Sequence, residues 1–211
     1  MKKLVIACLA LAAILPSCKK GSDDPFISFR SRKARVAGNW TVSSADITKS
    51  NSTSKTSING SEYTESDGSS SSTKGTVNGY TFTFEKGGTW NSDYDVTVSV
   101  SQFGLVYTTN THIVSSGVWK FLPKGDGAKN KERINVSPTS VVTTTTTTNG
   151  FSGSGSPVVS NSTNTYAEYE KENIWDITQL KNKEIKATSV TTTTNGSSSP
   201  TVTTAVYVLN Q

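Results

Sequence analysis

Alternation of apolar and polar residues dominates the chain from Trp40 onward. Tyr80, Phe82 and Phe84 alternate with Thr81, Thr83 and Glu85, the period-two pattern of a strand with one buried and one wet face. Lys86-Gly87-Gly88 then turns the chain, and Trp90, Tyr94, Val96, Val98 and Val100 continue the return. The same reading predicts a strand over 103–114, a turn at Ser115-Ser116-Gly117 and a short strand over 118–122. Residues 123–130 read as a loop, and 133–136 as resumed pairing. Strands over 166–172, 174–180, 184–190 and 201–209 complete the set, with Lys181-Asn182 as a tight turn. Residues 50–75 are polar and serine-rich, predicting a long loop or a mobile hairpin around 58–63. Eight to ten hairpin-linked strands are what an antiparallel up-and-down barrel requires. The predicted fold is therefore all-β.

Two segments look alike. Residues 141–150 and 190–196 each place a threonine run before Asn-Gly and a serine-rich loop. Threonine is β-branched and favours strands, while Asn-Gly supplies the positive φ of a hairpin turn. Flanking Val, Tyr and Leu favour strands over low-complexity chain. Ahead of the strands, Asp24 and Pro25 form a helix start signal. Phe26 and Phe29 share one helix face, with Arg30, Arg32, Lys33 and Arg35 around the others. Gly38 is placed to end this short helix or to admit a sharp bend.

The first residues read as an address. Met1-Lys2-Lys3 is positive, and residues 4–15 form an apolar run too short to span a bilayer. Leu15-Pro16-Ser17-Cys18 resembles a bacterial lipobox, although Pro16 departs from the commoner small or aliphatic residue. The resemblance implies cleavage before Cys18 and acylation of that cysteine by chains such as palmitate. At about 0.8 kcal/mol per buried methylene, more than one chain makes attachment effectively permanent. Cys8 would leave with the signal, so Cys18 would have no disulfide partner. Lys19 after the cysteine looks like the pattern that permits sorting to an outer membrane. Ser22-Asp23-Asp24 resembles the acidic export signal of surface lipoproteins in the Bacteroidetes, and reads equally well as a flexible linker. The expected organisation is a signal peptide over 1–17, an anchor and linker over 18–24, and one barrel domain over 25–211.

Composition and charge narrow the picture only a little. Hydrophobic content of 33% is low, which suits a sheet with one wet face and polar loops. Without Lys2 and Lys3 the formal charge of +5 falls to +3. The basic cluster from Arg30 to Arg35 reads as the solvated face of the helix more readily than as a headgroup contact. No basic–aromatic pattern points to nucleic acid.

No catalytic constellation is evident, and no enzyme activity or cofactor is expected. His112 is the single histidine, which excludes the usual zinc sets. Glu168, Glu170 and Glu172 fall on one face of a predicted strand and read as a solvated acidic face. Asp126-Gly127 and Asp93-x-Asp95 read as turn chemistry rather than calcium ligands. The aromatic set of Phe82, Phe84, Trp90, Trp119, Phe121 and Trp175 either lines a cavity in the barrel or fills it.

Gly38-Asn39-Trp40 resembles the Gly-x-Trp motif that opens the first strand of lipocalins. The wider string over 30–40, and the segments 82–90, 117–121 and 175–185, are similar to lipocalin-like lipoproteins of the Bacteroidetes. The resemblance covers most of 25–210. It implies an up-and-down lipocalin-like barrel with Gly38 and Trp40 at its floor. Two features depart from the family: no arginine lies beyond Arg133 to cover Trp40, and a C-terminal helix is not predicted. The function implied is binding of a small apolar or amphipathic molecule by a barrel tethered to the outer membrane, facing outward. The alternative is a surface structural or interaction protein whose Ser/Thr-rich loops meet glycan or protein.

Overall fold

The computed structural model describes residues 30–50, 52–68, 72–125, 127–128, 132–151, 155–193 and 200–211. The expected signal, Cys18, the Asp24–Pro25 helix start, Asp126 and the Asn195-Gly196 turn lie outside them. One short helix, α1 (Arg32–Val36), leads into eleven strands: β1 (Gly38–Lys49), β2 (Lys55–Asn59), β3 (Glu62–Ser66), β4 (Ser72–Phe84), β5 (Thr89–Gln102), β6 (Leu105–Phe121), β7 (Arg133–Phe151), β8 (Val158–Thr165), β9 (Ile174–Leu180), β10 (Glu184–Thr193) and β11 (Thr201–Asn210). They form one antiparallel sheet that closes in a ring.

Closure occurs at one end. There β1, β4, β5, β6, β7, β9, β10 and β11 pair in a circle, with Trp40 opposite Phe82 and Ile134 opposite Trp175. The β2–β3 hairpin inserts between β1 and β4 at the far end, which is how the serine-rich stretch enters the sheet. Ser31 caps α1 by accepting from the Ala34 N–H at 3.1 Å. Gly38 is the first residue of β1, at φ +148. Inward positions are apolar and outward ones polar: Trp40, Phe82, Phe84 and Trp90 are buried, while Thr41, Thr81, Asn91 and Asp93 are exposed. That polar outer face is unlike the lipid-facing band of a membrane barrel. No helix among the described residues is long and apolar enough to cross a membrane.

Several expected boundaries move. β6 runs unbroken through Ser115-Ser116-Gly117, and the preceding hairpin turn lies at Phe103-Gly104, with φ of 51 and 78. Two consecutive positive φ values between paired Gln102 and Leu105 make a tight hairpin turn whose twist suits the strands. Gly117 serves closeness instead. It sits at a bulge opposite Pro138, where an added Cβ would overlap the Ser137 carbonyl oxygen and lie 2.8 Å from Pro138 Cα. Gly117→Ala should therefore force β6 and β7 apart and lower stability by about 2–3 kcal/mol. A urea midpoint unchanged from the parent would refute this.

Residues 166–172 are not a strand but a turn-containing excursion, so Glu168, Glu170 and Glu172 do not form a strand face. Asp93 and Asp95 lie within β5 rather than in a turn. The Asp95 carboxylate accepts from the side chains of Asn78 and Asn110 at 2.8 and 2.6 Å, and His112 pairs with Asp93 at 3.0 Å. The basic cluster also departs from a solvated face. Arg32 and Arg35 are buried, and the Arg35 guanidinium donates to the Leu180 carbonyl at the foot of β9.

Candidate ligand-binding site

β8 and β9 both run antiparallel to β7 and pair with its same edge. They are two pieces of one broken strand, separated by the excursion at 166–173. Backbone and side chains stitch that excursion down. Val136 N–H donates to Asn173 O at 2.8 Å, Tyr166 N–H to Thr139 O at 3.0 Å, and Tyr169 N–H to Ser137 Oγ at 3.0 Å. Asn135 donates to Glu172 at 3.1 Å and Ser189 to Asn173 at 2.7 Å. Tyr169 adopts φ +63, a left-handed conformation that non-glycine residues rarely take.

The break opens the barrel wall. β10 pairs with β9 only as far as Val190 opposite Ile174, and no pairing joins β8 to β10 above it. A cleft of about 820 Å³ enters there. Thr191, Thr192 and Thr193 border it on one side and Glu170, Lys171, Glu172 and Asn173 on the other. Its depth is aromatic, with Phe82, Trp90, Trp175, Tyr80 and Tyr207. Trp175 stacks on Tyr207 at 5.1 Å and 20°, and meets Phe82 edge-on at 5.1 Å and 80°. Ser92 and Ser115 also line it. Small inward side chains there leave space that another aromatic would fill.

Below this level the barrel is packed shut. Trp40 is 1% exposed, and its indole N–H donates to Val36 O at 2.8 Å, tying the floor to α1. Phe84 packs beneath the cleft against Phe82, Trp119 and Trp175. The six aromatics considered from the sequence thus part company. Phe82, Trp90 and Trp175 line the cleft, Phe84 is core, and Trp119 and Phe121 border a second cleft of about 600 Å³ at the closed end. Trp90 and Trp119 donate their indole N–H groups to Ser137 O and Glu85 O at 3.1 and 3.0 Å. Trp175 differs: its buried Nε1 has no hydrogen-bond partner. Such a group costs about 1–3 kcal/mol of desolvation.

Tyr80 and Tyr207 join this set: Tyr80 shares the inward face of Phe82 and Phe84, and Tyr207 that of buried Ala205 and Leu209. Burial pushes both hydroxyls up, Tyr80 well above its usual 10. The threonine border had no signal beyond strand propensity. Among the described residues no group of three His, Cys, Asp or Glu side chains is placed to hold a metal. The chain matches no family model, and no characterised protein or solved structure matches it.

Proposed function

We propose that this chain is a lipoprotein, tethered through Cys18 to the outer membrane and exposed at the cell surface, whose lipocalin-like barrel binds a small amphipathic molecule. The observation that carries the binding reading is the cleft at the strand break. Its volume lies within the range typical of small-molecule sites, about 300–1,000 Å³. Aromatic depth and a hydroxyl-bearing, charged border suit a ligand with an apolar ring or chain and a polar head. The antiparallel ring and the Trp40 floor support the lipocalin likeness.

The test is native mass spectrometry after incubation with lipid and metabolite extract from the source cells. A discrete retained mass is expected, and repeated recovery of bare protein would sink the reading. Thr191→Trp would fill the entrance from an inward position of β10. It should weaken capture of that mass at least about tenfold, the loss of roughly 1.4 kcal/mol, with the thermal midpoint little changed. A second reading has its own support. Phe103 is 94% exposed at a hairpin tip, and Val158 is 68% exposed on the uncharged edge strand β8. An apolar tip and an unprotected edge suit a protein or glycan partner at the surface.

A further inference from the structure

The positive charge of the fold belongs to its closed end. The described chain starts at Arg30, directly before α1, and α1 is bonded to the foot of β9. Arg30 therefore lies at that end. Exposed cations gather there from separate segments: Lys33 on α1, Lys86 in the β4–β5 turn, Lys124 after β6 and Lys183 in the β9–β10 turn. Lys120, near the end of β6, adds another, its ammonium 3.6 Å from the centre of the Tyr169 ring. Among the described residues the acids at this end are Glu85, Glu132, Glu168, Asp176 and Glu184, and Glu184 is engaged by Lys181 at 3.5 Å. At the opposite end Lys49, Lys55 and Lys74 are offset by Asp46, Glu62, Glu65 and Asp67, with Lys55 3.4 Å from Asp46.

We propose that the closed end is a docking face for anionic phospholipid headgroups, so that the barrel stands on the membrane with its cleft held clear of it. The inference rests on the tether reading for its biological setting. Cys18 precedes Arg30 by a segment that spans at most about 40 Å when extended. A lipid anchor at Cys18 would thus hold this end, not the far end, near the bilayer. Surface charges act over only about 8 Å at physiological salt, so a cationic face needs such confinement to work. The burial of Arg32 and Arg35 leaves the task to lysines on the surrounding turns.

The test uses the chain from residue 21, unacylated, which keeps every described element and the whole core from Val36 to Leu209. Sedimentation with phosphatidylglycerol-containing vesicles should exceed that with phosphatidylcholine alone at least about tenfold and fall with salt. The triple change Lys33→Glu, Lys86→Glu and Lys183→Glu should abolish the excess. Lys49→Glu, Lys55→Glu and Lys74→Glu, an equal change of net charge at the far end, should leave it within about twofold. Equal losses in the two triples, or equal binding to both vesicles, would overturn the proposal. If circular dichroism shows the first triple unfolded, glutamine replacements at the same lysines give the same comparison. The tether reading fails separately, by an unmodified Cys18 in the intact mass of membrane-extracted protein.

Discussion

Trp175→Ala should cost about 3–5 kcal/mol of stability, the range for emptying a large buried aromatic site. Trp175 is 1% exposed and packs against Phe82, Phe84 and Tyr207 from β9, the short half of the broken strand. Removing the indole also removes the link between β9 and the far wall of the barrel. For a chain of this length the thermal midpoint should fall by about 10 °C. The lost indole carries a buried N–H without a partner, so the lower half of the range is the better expectation. A loss below about 1 kcal/mol in urea unfolding would show that the cleft floor is loosely packed. The same variant should lose the retained ligand mass, since Trp175 forms part of the cleft.

The second large effect is alkaline unfolding. Burial first, and neighbouring tyrosines second, push the Tyr80 hydroxyl far up; burial also raises Tyr207, although a hydrogen bond with Tyr80 works against it. Burial raises Tyr94 as well, and Tyr63 is pushed up to about 12 by burial and by Glu65. As pH passes 10 the unfolded chain sheds these protons while the folded chain retains them. The stability they contribute is therefore whole below pH 10 and drains away as pH climbs from there toward the folded values. Each such group gives a slope of about 1.4 kcal/mol per pH unit. Above pH 10, Tyr80 and Tyr207 should each add up to about 1.4 kcal/mol per unit to that fall, read from urea unfolding between pH 9 and 11. The double variant Tyr80→Phe, Tyr207→Phe should make that fall shallower, leaving the part due to Tyr63 and Tyr94, and an unchanged slope would place the titration elsewhere.

Much of the fold was legible because a half-buried strand imposes period two. Tyr80, Phe82 and Phe84 announced β4, and Lys86-Gly87-Gly88 its turn, on local evidence alone. Phe103-Gly104 and Gly117 misled because a glycine marks a turn or a close approach equally well. Only the register of β6 against β7, with Gly117 opposite Pro138, separates the two. Glu168, Glu170 and Glu172 alternate like a strand, yet the chain there leaves the ladder, since Tyr169 turns it at positive φ.

The candidate site was half legible. Phe82, Trp90 and Trp175 were visible as inward positions and Tyr207 was not, and filling and lining look the same in a sequence. Which applies depends on the height of each ring in the barrel: Phe84 lies in packed core, whereas Phe82 on the same strand borders the cleft. The entrance was not legible at all, because it arises from a pairing that β10 does not make.

What the sequence determined by itself is the all-β class, most of the strands with their wet and dry faces, and part of the inward aromatic set. These follow from side-chain alternation within a few residues. Tertiary structure decided where the ring closes, how β8 and β9 share one edge of β7, and that the seam above β9 stays open. It also gathered the lysines of separate turns at one end, beside α1. Those features join residues far apart in the chain, and no local period carries that information.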